Sequence, residues 1–113
     1  MSIEALVTRG RFDLIASGAI DLDLRPNFPP YNQIVRGDTI LFKDSIIPPR
    51  YLARVIKAVR IHPTLSSLFD KEELVRFDPE LKGATYLSLL TYAQTLFGHG
   101  VKKPLIVFEF DRP

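Results

Sequence analysis

Between Ala19 and Arg25 apolar and charged residues alternate: Ile20, Leu22 and Leu24 against Asp21, Asp23 and Arg25. Successive strand side chains point to opposite faces, so this spacing predicts a strand over Ala19–Leu24. Ile20, Leu22 and Leu24 are expected in a core and the charged set on the other face. Pro26 stops the strand and leaves the Arg25 guanidinium at its mouth. Upstream, Ile3–Val7 reads as an opening strand. Phe12, Ile15 and Ala16 at helical spacing predict a short helix over Gly10–Ser17, with Gly18 as its stop.

Downstream, prolines at 26, 29 and 30 make Arg25–Gln33 a stiffened loop. A Gly37-Asp38 turn leads into a strand over Thr39–Lys43. Asp44–Arg50, with Pro48 and Pro49, is a second loop. Tyr51–Ile61 predicts the longest strand, but Leu52, Val55, Ile56, Val59 and Ile61 do not alternate cleanly. A bulge, burial of both faces, or a helix would each produce that irregularity. Thr64–Phe77 is expected to be helical, capped first by Thr64 and again by Asp70 in a capping box with Glu73. Thr85–Phe97 is the clearest helix, with Leu87, Leu90 and Phe97 in one stripe and Ala93 and Leu96 beside it. A loop over His99–Pro104 and a closing strand over Leu105–Phe110 complete the chain. The order predicts a mixed α+β, mainly β fold, a single domain over 1–113. So small a sheet must curl or pack a face on the helices.

Composition narrows function mostly by exclusion. With 46% hydrophobic residues the chain can fill a core, and 15 Lys and Arg against 13 Asp and Glu leave a net charge of +2. That balance permits a basic patch without demanding one. There is no Cys, hence no disulfide, no thiolate nucleophile and no thiolate metal ligand. His62 and His99 stand apart, without a zinc spacing, an acid or a nucleophile partner in sequence. No cofactor, no metal and no catalytic residue is expected. The missing Cys, the lack of a bilayer-length apolar run and the lack of a leader pattern lead to an expectation of cytoplasmic residence.

Candidate chemistry centres on Asp23 and Arg25. An Arg fork suits a phosphate or a base edge, and a carboxylate suits a base amino group; a structural pair between the two is the plain alternative. Lys43, Arg50, Arg54, Lys57 and Arg60 form a basic series with Tyr51 among them, fit either to track a nucleic-acid backbone or to solvate a strand face. Tyr31 in the proline-rich loop, Lys82 before the strong helix and Tyr86 on it are candidate lining residues; of Tyr86 and Tyr92 at most one suits the core stripe, which leaves the other for a cleft. Gly18, Gly37 and Asp38 read as structural turn residues.

Gly18-Ala19-Ile20-Asp21-Leu22-Asp23-Leu24-Arg25 resembles the Gly-x-Lys-x-x-Glu-x-Arg hallmark of the ASCH domain, a small β-barrel family of PUA-like form. Gly18 and Arg25 match, Asp23 stands for Glu, and Ile20 stands for Lys. Ile34–Phe42, Ala53–Arg60, Leu65–Pro79 and Leu105–Phe110 resemble the later family segments in order. The resemblance implies a barrel of five to six strands flanked by two or three helices. It also implies a cleft beside the Gly18–Arg25 strand for RNA, a nucleotide or a modified base, and no membrane partner. One branch of the family is similar to amidohydrolases that deacylate N4-acetylcytidine, using the hallmark Lys to carry a proton, a Thr nucleophile at the position of Asp23, and a later Glu. Ile20 cannot carry a proton and Asp23 has no hydroxyl, so the resemblance favours a binding module over a hydrolase of nucleosides or RNA. A protein–protein adaptor is the third expectation.

Overall fold

The computed structural model describes residues 2–98 and 104–113; most of the expected loop over His99–Pro104 lies outside the described residues. The strands are β1 (Ser2–Val7), β2 (Leu22–Pro26), β3 (Thr39–Asp44), β4 (Tyr51–His62) and β5 (Leu105–Phe110). The helices are α1 (Arg9–Ser17), α2 (Leu65–Lys71) and α3 (Tyr86–Phe97). Short 3-10 turns occupy Tyr31–Gln33, Leu74–Arg76 and Pro79–Leu81.

One five-stranded sheet runs in the order β1-β3-β4-β5-β2. β1 and β3 are parallel and the other neighbours antiparallel. The sheet curls into a half-barrel, with β1 and β2 as the two end strands of the ladder. α1 bridges that seam in sequence, capped by the Thr8 side chain and ended by Gly18 at φ 87°. A left-handed residue is cheapest as Gly, which is why the helix stops there.

Of the three readings left open for the longest strand, the structure shows the bulge. β4 pairs Ile56 with Phe110 and then Ala58 with Glu109, leaving Lys57 as the extra residue. An extra residue inverts the facing of everything after it. Leu52 and Ile56 face one core, then Val59 does, while Arg60 and His62 turn to the other side.

β5 is buried on both faces, and two cores result. Ile106, Phe108 and Phe110 join β1, β3 and α1 in the first core. Leu105 and Val107 join Leu22, Leu24, α2 and α3 in the second. The expected strand over Ala19–Leu24 begins only at Leu22. Ile20 therefore turns into the first core while Leu22 and Leu24 fill the second, not one shared core as the alternation implied.

Two helical expectations are corrected. Asp70 sits inside α2 and caps nothing; the chain leaves the helix at Glu72 and forms a 3-10 turn with no side-chain cap. On α3 the buried residues are Leu89 and Ala93, one turn apart, while Leu87 is 69% exposed. Leu90 and Phe97 of the expected stripe do pack against the second core, but Leu87 points to solvent because that core meets the Leu89–Ala93 face of the helix. Among the described residues no helix is long and apolar enough to cross a membrane.

Candidate functional site

The half-barrel leaves a gap where β1 and β2 fail to pair, and a cavity of about 280 Å³ sits there. Its polar lining comes from Thr8, Arg11, Asp23, Arg25 and Tyr92, and its apolar walls include Leu24, Phe77 and Phe97. Each polar residue has a backbone reason to be present. Thr8 caps α1 by accepting the Arg11 N–H. Arg11 lies in the first turns of α1, and Asp23 and Arg25 share one face of β2.

Asp23 is only 2% exposed. Arg25 Nε donates to its Oδ2 at 2.7 Å, and Arg11 Nη2 stands 3.5 Å from its Oδ1. The Asp23 charge raises the pKa of Arg25 against the opposing effect of burial, so the guanidinium stays charged. Its side chain remains 19% exposed and stands 5.3 Å from the centre of the Tyr31 ring. The pair is tied down, yet room remains beside it: a second cavity of about 330 Å³ is lined by Arg25, Phe28 and Tyr31.

Arg11 is anchored at its far side. Nη1 donates to the Phe77 carbonyl at 2.6 Å and Nη2 to the Leu22 carbonyl at 3.4 Å. Tyr92 closes the wall; burial raises its phenol pKa, with Arg11 pulling the other way, so it presents a neutral O–H at neutral pH. Two guanidiniums around one carboxylate leave a local excess of positive charge. The site offers an anionic acceptor, cationic donors, a neutral hydroxyl and apolar walls for a flat guest.

Of the residues singled out in sequence, Asp23, Arg25 and Tyr31 come together. The others do not join them. Lys43 faces Glu4 at 3.9 Å and the Tyr51 ring. Arg50 is held by Asp44 and Asp13 and lies over the Phe12 ring, so it clamps α1 to the second proline loop. Arg54 donates to the carbonyl of its neighbour Ala53 and to that of Ile15 in the last turn of α1. Lys82 lines a separate shallow groove with Phe69 and Leu74, and Tyr86 packs edge-on against Phe69 at 5.9 Å. The basic series thus serves as a set of local clamps, because strand parity, a bulge and loops send its members to different neighbours. Gly37 takes φ 94° and Asp38 accepts the Val35 N–H, as turn residues should.

Arg11 was missed, and of the two helix tyrosines it is Tyr92 rather than Tyr86 that lines the cavity. Thr8 three residues before Arg11 marks the helix start, but nothing local says that the first turns of α1 reach β2. Ile20, at the position of the hallmark Lys, is buried in the first core and lines a neighbouring cavity of about 580 Å³ beside Arg11 and Tyr92.

Beneath the site runs a chain of ion pairs. Arg76 grips Asp21 with two hydrogen bonds of 2.8 Å and reaches Glu109 at 3.2 Å. Arg60 joins Glu109 to Glu72, and Glu72 meets His62 Nε2 at 2.6 Å. Asp21, expected on one face with Asp23 and Arg25, precedes the strand, is 3% exposed and pairs with Arg76 instead. Burial pushes its pKa up, but Arg76 and Arg112 outweigh that and hold it below the ordinary value. His62 does have partners, Glu72 and Ser67, which pin α2 to β4. The seam cavity and its neighbours are lined by other residues, so this chain of pairs is a brace for the site.

No family model matches the chain, and no curated protein matches it. Two solved structures share its fold. The crystal structure of hypothetical protein PH0355 superposes with a TM-score of 0.81 at 17% identity, over 100% of both chains. The solution structure of protein PF0455 from Pyrococcus furiosus gives a TM-score of 0.73 at 18% identity, over 99% of this chain and 97% of the other. Likeness at that identity speaks to architecture alone.

Proposed function

We propose that this chain is an ASCH-type module that binds RNA or a nucleotide-like ligand in the seam beside β2. The observation that carries the reading is the Asp23–Arg25 pair at an open cavity, faced by Arg11 and Tyr92. Asp23 accepts an amino group of a base, while Arg11 and Arg25 favour a phosphate or a carbonyl edge. The apolar walls hold the ring. A hydrolase reading is disfavoured, since Ile20 is an apolar wall and no proton carrier stands there. Cytoplasmic residence belongs to the same proposal, in keeping with a chain that has no Cys.

The test is calorimetric titration with the four nucleosides, their 5′-monophosphates and N4-acetylcytidine, on wild type and Arg25→Ala. An Arg–base contact is worth about 1–3 kcal/mol, so affinity should fall by roughly 5- to 150-fold. Equal affinity of both proteins, or no binding by either, removes the reading.

A further inference from the structure

The outward positions of β1, β3 and the first half of β4 join neither core. The strand registers set Glu4 beside Leu41, and Leu6 beside Lys43 and then Tyr51, with Val55 at the opposite corner. This face is mostly apolar and open: Leu6 is 66% exposed, Tyr51 52% and Val55 47%. Glu4 and Lys43 are the only charges at its outward positions. They stand 3.9 Å apart, and the Lys43 ammonium lies 5.8 Å from the centre of the Tyr51 ring, so it stays on the face.

We propose that this face pairs with the same face of a second copy of the chain, the two sheets crossing near a right angle. The placement of the two charges is the reason. Glu4 lies one strand from Leu41, about 5 Å, and Lys43 lies two residues along from it, about 7 Å. A two-fold axis between the sheets, running on the diagonal from Leu6 through Leu41 to Val55, exchanges those two positions to within about 2 Å. Each Glu4 then meets Lys43 of the other copy, and the apolar diagonal closes on itself. An axis along the strands would set Lys43 on Lys43, and an axis across them Glu4 on Glu4. Like charges face to face oppose association, so the diagonal axis wins. It makes the strands cross at about 90°, one of the two ways in which sheets stack. A face without net charge favours neither a polyanion nor an anionic membrane. Its extent, roughly 14 by 20 Å, falls short of the ~800 Å² per partner of a standard interface, so the dimer is a weak one.

The experiment is sedimentation velocity at low salt, with protein from the micromolar range to about 1 mM. Wild type should pass from monomer to dimer across that range. Glu4→Lys and Lys43→Glu each place like charges across the axis and should weaken self-association at least about tenfold. The Glu4–Lys43 pair is a surface pair and contributes little to folding, so both variants should keep the wild-type circular dichroism. An equimolar mixture of the two should form heterodimers about as readily as wild type, because every contact across the axis is again between opposite charges. A role for the pair within one chain predicts no rescue on mixing. The double variant, Glu4→Lys with Lys43→Glu, should also dimerise like wild type. A wild type that is monomeric at every concentration overturns the proposal. So does a dimer that neither single substitution weakens, or a mixture no more associated than the single variants.

Discussion

Arg76→Ala should be among the most damaging changes outside the apolar cores, and its signature is a dependence on pH. The guanidinium makes two 2.8 Å hydrogen bonds to Asp21 and one contact of 3.2 Å to Glu109. Breaking a buried pair generally costs about 3–5 kcal/mol, because it strands a buried charge. Here the low end applies. Arg112 still reaches Asp21 at 3.1 Å and Arg60 still holds Glu109 at 2.7 Å. A loss of about 3 kcal/mol is a large part of the ~5–15 kcal/mol that holds a domain together. With a urea slope of about 1–3 kcal/mol per molar, the unfolding midpoint should drop by roughly 1–3 M. The sign with pH follows from Asp21. In wild type its folded pKa lies below the ordinary value of 3.8, so its contribution is present above that value and lost as pH falls through the folded one. In the variant burial dominates, the folded pKa rises, and the stranded charge is relieved by acid. The difference between the two proteins should therefore be largest near pH 7 and shrink towards pH 4. Urea titrations across that range measure it. A penalty that stays constant with pH would show that the Arg76 stem, not its charge, supplies the stability, and would refute the reasoning.

Glu72 also sits below its ordinary 4.5, burial being outweighed by Arg60 and His62, so wild type should lose stability below about that pH. Glu72→Gln should flatten this part of the curve in denaturation measured by circular dichroism. Leu89→Ala should cost about 2–5 kcal/mol in urea unfolding, for Leu89 is 1% exposed in the second core. Leu87→Ala, two residues before it, should change stability by no more than about 0.5 kcal/mol. Gly18→Ala forces a side chain into the left-handed region at φ 87° and should cost about 1–2 kcal/mol, read as a lowered melting temperature.

Much of the architecture was legible because its signals are local. Period-two runs, the helix cap at Thr64 and the stop at Gly18 depend on neighbours a few residues away, and each element appears near its expected place. The broken alternation of β4 was visible too, though a bulge, two-sided burial or a helix would each have produced it. What misled was the facing of polar and apolar residues. Asp21 was grouped with Asp23 and Arg25 because alternation sorts side chains into two faces without saying where the strand begins. Leu87 looked like core because helical spacing gives a stripe but not its direction. Arg11 was invisible as a site residue, and which tyrosine of α3 lines the cavity stayed open, since each belongs to an element whose own pattern is satisfied without a partner on β2.

Local chemistry by itself therefore determined the kinds of element, their order, the curled mainly-β class and the adjacency of Asp23 with Arg25 on one strand. The tertiary structure alone decided that the sheet stays open between β1 and β2, that a cavity fills the gap, and that Arg11 faces Asp23 across it. The reason is range. Backbone preference acts over a few residues, whereas an ion pair between α1 and β2, or between Arg76 and Asp21 55 positions away, exists only once the chain has closed on itself.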